Sequence, residues 1–394
     1  MGEEEKKSLS TTIDRILELL KKSKSIELEK VDLYADELEL NIKLKPTVAP
    51  TPRIERPELL EAEFTPPIMR YPGQIAEVRL GAMKAEGGTR DRTLVIGGEK
   101  VPPFYRFEAP MAHKPVIAFD VFDMKIPLPK AVKVHLQDVL EDPAEWAKLY
   151  VKKFGAEMIT VHLVSTDPST QNTPASEAAK TVEEILQAVS VPIAVGGSGN
   201  PEKDPEVLEK VAEAASGERI LLNSARRDID YKRIAKAAST HGHVVLSFTE
   251  LDLNNQKMLN RELLDAGIPK YRIIMDPTTA ALGYGLEYTF SITERIMLAG
   301  LSGDADLQMP IASGTTNAWA AREAWMDAPE WGPKELRGPL WETVTALTLL
   351  LAGCDFLMMM HPDAVRTAKE IVETLSGKGT KKVEELEKWI TVKI

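Results

Sequence analysis

A single cysteine, Cys354, stands in a chain of 394 residues. One thiol can make neither an internal disulfide nor the ligand set of an iron–sulfur cluster or a thiolate zinc site. That scarcity suits a reducing compartment, and the cytoplasm is the expected one. Positive charge is also short: 49 Lys and Arg against 60 Asp and Glu leave a formal net charge of -11, which repels phosphate backbones and argues against nucleic acid. Long apolar runs are missing too. The chain opens Met1, Gly2, Glu3, Glu4, Glu5, without the basic start and apolar stretch of a signal peptide. The most apolar segment, 347–360, is too short to span a bilayer and is broken by Gly353, Cys354 and Asp355. No membrane association is expected.

Periodicity is what the chain does have. In residues 9–22, Ile13, Ile16, Leu17, Leu19 and Leu20 recur at helical spacing behind Ser10, Thr11 and Thr12, which predicts a short amphipathic helix capped by that hydroxyl cluster. Two β-like runs follow, the second alternating Leu38, Leu40, Ile42 and Leu44 with polar residues, so 1–45 is expected to form a small α+β module. Seven prolines in 46–72 predict an extended, semi-rigid linker. In 73–115, runs at 78–80 and 93–96 beside Gly87-Gly88 and Gly97-Gly98 predict strands or hairpins ahead of the main domain.

From 116 to 377 a single pattern recurs: a short β-branched run, a polar loop, then an amphipathic helix. The eight strands fall at 116–122, 158–164, 193–195, 219–222, 244–248, 272–275, 308–312 and 356–360, with helices between them, including one around Trp319 and Trp341. An open doubly wound sheet is the alternative, but no nucleotide fingerprint lies near the first turn, and the count closes a (β/α)8 TIM barrel. Residues 378–394 form a C-terminal segment.

In such a barrel, function sits in the loops after the carboxyl ends of the strands. These loops offer Asp167, Ser198, Asn223, Asp252, Asn254, Asp276, Thr278, Thr279, Gly283, Tyr284, Ser313, Thr315, Thr316 and His361 as candidates for cofactor binding. The set is polar but largely uncharged. Hydroxyls, amides and glycine backbone can hydrogen-bond a large ligand carrying amide or hydroxyl groups, while Asp, Ser, Thr and Asn at βα junctions equally serve as helix caps. His361, directly after strand eight, is expected to reach the rim or to support it through hydrogen bonds.

Other chemistries find little support. Gly197-Ser198-Gly199 lacks the last glycine of a dinucleotide fingerprint and the lysine of a P-loop. His241 and His243 precede strand five, so they belong at the structural end and no metal is assigned. No lysine ends a strand, which disfavours Schiff-base chemistry. Cys354 and the run Met358, Met359, Met360 read as core.

The runs LGAMKAEGGTR at 80–90, IMDPTTAALGYGLEY at 274–288, FSITER at 290–295, RGPLWETVTA at 337–346 and MHPDAV at 360–365 resemble the delta, or small, subunit of the corrinoid iron–sulfur protein. The likeness covers about 74–375. The N-terminal module is similar to that of the longer delta subunits of the archaeal acetyl-CoA decarbonylase/synthase complex.

The resemblance implies a methyl-carrier subunit of the reductive acetyl-CoA pathway, without catalysis of its own. It would form a heterodimer with a gamma subunit, a corrinoid (cobamide) lying between this barrel and a mobile corrinoid domain of gamma. Methyl would come from a methyl-tetrahydropterin or methyltetrahydrofolate, with methyltransferase and acetyl-CoA synthase/carbon monoxide dehydrogenase subunits as further partners. The iron–sulfur cluster would belong to gamma, in keeping with the single cysteine here. None of the six histidines has an aspartate two residues earlier, so the Asp-x-His-x-x-Gly run that ligates cobalt in many corrinoid domains is missing and a capping role is implied. The alternative is a pterin-dependent methyltransferase of the pteroate-synthase-like barrel class. It is suggested by Asp276-Pro277 with Gly283 and Gly285, where Asp276 would bond a pterin edge or simply cap the following helix.

Overall fold

The computed structural model describes residues 3–22 and 68–377. Two compact units divide the chain, Met1–Thr65 and Pro66–Ile394. In the first, helix α1 spans Glu3–Lys22. It begins earlier than its apolar stripe suggests, so Ser10, Thr11 and Thr12 lie inside the helix instead of capping it. Three glutamates at its start and Lys21 and Lys22 at its end complement the helix dipole, which favours the longer helix. The β-like runs of 23–45, the linker residues 46–67 and the segment 378–394 lie outside the described residues.

In the second unit, β1 (Val78–Leu80) and β2 (Leu94–Ile96) pair antiparallel. The parallel strands β3 (Val116–Phe122), β4 (Ile159–His162), β5 (Ile193–Gly196), β6 (Leu221–Ala225), β7 (Val244–Phe248), β8 (Ile273–Asp276), β9 (Ile311–Ser313) and β10 (Cys354–Met359) then close a barrel in sequence order, β10 joining β3. Between and after them run α2 (Lys130–Lys133), α3 (Pro143–Phe154), α4 (Ala175–Ala188), α5 (Asp204–Ala214), α6 (Tyr231–His241), α7 (Leu253–Asp265), α8 (Leu286–Leu301), α9 (Lys334–Ala352) and α10 (Pro362–Leu375). Among the described residues, no helix is long and apolar enough to cross a membrane.

Alternation along each strand divides the apolar side chains between two cores. Phe119, Trp146 and Tyr150 belong to the layer between strands and helices, with Phe119 stacked on Tyr150 at 4.3 Å. Val116, Ala118, Met158, Leu221, Leu246, Ile274 and Phe356 fill the barrel, joined by Val78, Leu80 and Ile96 of the β1–β2 pair, which therefore plugs the amino end. Arg90 pins that plug. Its guanidinium donates to Glu218 Oε2 at 2.7 Å and to the carbonyls of Val189 and Leu186 at 2.7 and 2.8 Å.

Several expected bounds shift, strand seven from 308–312 to Ile311–Ser313 among them, and two changes have a visible cause. Strand eight starts earlier, at Cys354, because buried Asp355 sits at a register shift against β9 and accepts the Ile311 N–H at 3.0 Å. Around Trp319 the chain forms short 3₁₀ turns, 315–320 and 322–324, and the true helix begins only at Lys334, after Gly332-Pro333.

Candidate functional site

The carboxyl ends of the strands surround a cavity of about 340 Å³, lined among others by Asp120, Phe122, His162, Asn223, Phe248, Asp276, Thr316 and Met358. Its floor comes from inside the strands. Asp120 lies in the middle of β3 at the inward register shared with Val116 and Ala118, and is 1% exposed. Its Oδ2 accepts the Thr316 hydroxyl hydrogen, whereas Oδ1 has no hydrogen-bond partner among the described residues. His162, the last residue of β4, stacks on Phe122 with ring centroids 5.0 Å apart. Its Nε2 lies 3.2 Å from Asp120 Oδ1 but off the line of a hydrogen bond, so that nitrogen is unpartnered as well.

Asp276 closes β8 and lines the same cavity. Its Oδ1 accepts the Thr278 N–H at 2.9 Å, and burial pushes its carboxyl up to about 7 against that bond. It does not cap a helix, since α8 starts ten positions on with Gly285 as its N-cap. The bond instead holds Thr278 at φ 77°, an uncommon conformation for a β-branched residue, with help from the Thr278 hydroxyl on Thr249 O at 2.7 Å. Also lining the cavity, Asp204 accepts the N–H groups of Ser198 and Gly199, each at 2.9 Å. A Cβ at Gly197 would meet that carboxylate at 2.3 Å, so only glycine lets the loop approach. Three aspartates thus face one cation, Arg226, itself paired with Asp228.

Of the residues expected from sequence, Asn223, Asp276 and Thr316 line the cavity, and the others do not. Asp252 caps α7 by accepting Asn255 N–H at 2.9 Å, Asn254 is exposed on that helix, and Asp167 accepts Ser169 N–H at 2.6 Å within its own turn. Ser198 is engaged by Asp204. Thr279, Ser313 and Thr315 form a buried hydroxyl chain, each link 2.9 Å long, and Thr278 is committed to its turn. Gly283 and Tyr284 are exposed on the segment after β8, the Tyr284 hydroxyl donating to Glu323 at 3.0 Å.

His361 sits behind the mouth. Its Nδ1 accepts the Asp363 N–H at 3.1 Å as the cap of α10, its ring stacks on Trp319, and burial together with nearby His135 pushes it down to about 4. Glu342, pushed up to about 8 by burial, accepts the N–H groups of Met360 and His361 and fixes this turn. His135, His361 and Asp363 come within 4.8 Å of one another, but a metal on Nδ1 would have to displace the helix cap.

Asp120 and His162 were missed by looking only past the strand ends. A period-two reading finds them, because Asp120 follows Ala118, and His162 follows Met158 and Thr160, on the inward face.

The sequence matches the family of the CO dehydrogenase/acetyl-CoA synthase delta subunit over residues 77–328. It is 59% identical over 344 residues to the acetyl-CoA decarbonylase/synthase complex subunit delta of Archaeoglobus fulgidus, covering 86% of this chain and 76% of that one. It is 49% identical over 389 residues to the Methanothermobacter thermautotrophicus subunit delta, covering 97% and 98%. Among solved structures, Thermus thermophilus dihydropteroate synthase is similar at 16% identity and a TM-score of 0.47, over 76% of this chain and 99% of that one. The chain belongs to the delta-subunit family of CO dehydrogenase/acetyl-CoA synthase, the acetyl-CoA decarbonylase/synthase complex.

Proposed function

We propose that this chain is the corrinoid-facing subunit of an acetyl-CoA decarbonylase/synthase assembly, its barrel mouth covering one face of a cobamide shared with a gamma-type iron–sulfur subunit. The bound cobalt would carry methyl between a methyl-tetrahydropterin (or methyltetrahydrofolate) and the acetyl-CoA synthase subunits. The observation that carries this is the mouth itself, an open polar cavity lined by Asp120, Asp204, Asp276 and Arg226, where buried polar atoms lack partners among the described residues. Such a surface suits a cofactor that carries hydrogen-bonding amide arms. A corrin macrocycle is far wider than this cavity and would lie across its rim, where the chain's contribution is to exclude water and hold the ring. Tyr284, Tyr288, Trp325 and Trp331 are exposed on the segments after β8 and β9, a composition suited to a partner's docking. Co-expression with the gamma-type subunit in cobamide-containing medium, followed by gel filtration and a visible spectrum, tests the proposal. Co-elution with a corrinoid band is expected, and the isolated chain should be colourless and iron-free. A gamma-type subunit that keeps its corrinoid without binding this chain would contradict it.

Asp276 favours a second function, a pterin-dependent methyltransferase, because it faces the cavity instead of capping a helix. Methyl transfer from a methylpterin to free cobamide by the purified chain alone would establish that activity and overturn a purely capping role.

A further inference from the structure

The hydroxyls of Thr278, Thr279 and Thr315 are spent on internal bonds, so the mouth must recognise a ligand with other groups. Two are held ready. Among the described residues Asp120 Oδ1 is buried without a hydrogen-bond partner, and His162 Nε2, 3.2 Å away, is in the same state. Leaving a buried polar atom unpaired costs about 1 to 3 kcal/mol, so a group that completes both atoms recovers a substantial term. Existing contacts limit how far either side chain turns. Thr316 holds the second oxygen of Asp120, and the His162 ring is stacked on Phe122.

A completing group must donate to Asp120 Oδ1 and, with the imidazole proton on Nε2, accept from His162. A primary carboxamide does both with adjacent atoms, its N–H to the carboxylate and its C=O from the imidazole. A carboxylate cannot donate to Asp120 and would set its own charge against that side chain. An ammonium serves Asp120 but offers no acceptor to His162. The cavity, about 340 Å³, admits a short amide arm while excluding the macrocycle that bears it.

We propose that Asp120 and His162 form the receptor for one primary carboxamide arm of the corrinoid, which rests on the capping role proposed above. The pair fixes the rotational setting of the ring over the mouth and discriminates an amide from its hydrolysed, carboxylate form. Asn223, whose amide nitrogen contacts only the Met358 sulfur at 3.6 Å among its hydrogen bonds, borders the same cavity and can support the arm.

The test uses the complex of this full chain with its gamma-type partner, loaded either with intact cobamide or with the separated isomers in which one amide arm is hydrolysed to a carboxylic acid. Release of each corrinoid is followed by its visible spectrum. The wild-type complex should release at least one isomer tenfold or more faster than intact cobamide, and Asp120→Asn should erase that difference by supplying a neutral partner with a donor of its own. Equal release of all isomers by the wild type would overturn the proposal without needing any variant to fold. Discrimination that persists unchanged in a folded Asp120→Asn complex would overturn it as well. A complex that binds no corrinoid of any kind marks the failure of the capping role itself, and the arm receptor falls with it.

Discussion

The two ends of the barrel use similar side chains to opposite effect. At the amino end, Arg90 is surrounded by Glu218 and backbone carbonyls, and His243 has both ring nitrogens engaged, Nδ1 by Ile220 N–H at 3.3 Å and Nε2 with Ala212 O at 2.9 Å. At the carboxyl end, Asp120 and His162 keep atoms without partners around an open cavity. Polar groups that complete each other lock a plug in place, whereas polar groups left incomplete mark where something else belongs.

The largest difference should appear when each end is cut. Arg90→Met leaves Glu218 beside a buried apolar chain, and breaking such a buried pair costs about 3 to 5 kcal/mol. Denaturant unfolding of the free chain should show that loss, and a change under 1 kcal/mol would mean the plug is incidental.

The ends should also differ in the sign of their pH dependence. Asp276 is pushed by burial from 3.8 to about 7, so the folded state binds its proton more tightly than the unfolded chain does. Its stabilising contribution is complete below pH 3.8 and is lost as pH rises to about 7, at about 1.4 kcal/mol per pKa unit. Asp276→Asn keeps an acceptor for Thr278 N–H and removes the titration, so its stability relative to wild type should increase from pH 4 to pH 7 in parallel melts. A constant offset would show that Asp276 is not held protonated. His243 works the other way. Burial lowers it from 6.5 to about 4, so its contribution is present above pH 6.5 and fades as pH falls to about 4. His243→Gln should flatten that acid limb, and an unchanged limb would assign it to other groups.

A smaller effect is expected at the hydroxyl chain. Thr279→Val should cost about 0.5 to 1.5 kcal/mol of stability while leaving the cobamide content of the complex intact, because the hydroxyl points to Ser313. A selective loss of cobamide would return this threonine to the ligand surface. Least of all should follow from deleting residues 1–45, since α1 belongs to a separate unit from the barrel. The barrel's melting should not move, and a loss of cooperativity would show that the two units share a core.

Much of the barrel was legible because the strand and helix periods are unmixed. The ranges 116–122 and 244–248 match β3 and β7. What escaped is what periodicity does not encode. The 3₁₀ turns at 315–324 carry an apolar pattern that imitates a helix, and the early start of β10 depends on Asp355 reaching Ile311 across a neighbouring strand. For the site, Asn223, Asp276 and Thr316 were visible as strand-end polar residues. Asp252, Thr279 and Ser313 fit the same rule, but a cap and an internal hydroxyl bond look identical to a ligand contact when only the residue type is known. Asp120 was hidden by its position within an apolar run, where only its inward register distinguishes it.

The most direct test of the mouth as the corrinoid-facing surface is the cobamide content of the gamma-type complex when bulk is added at one end or the other. Asn317 is exposed and lines the cavity, while Lys100 is exposed beside the amino-end plug. Asn317→Trp should yield a folded complex depleted of cobamide, and Lys100→Trp should retain its full complement. Full cobamide content in a normally melting Asn317→Trp complex would contradict the assignment of the mouth.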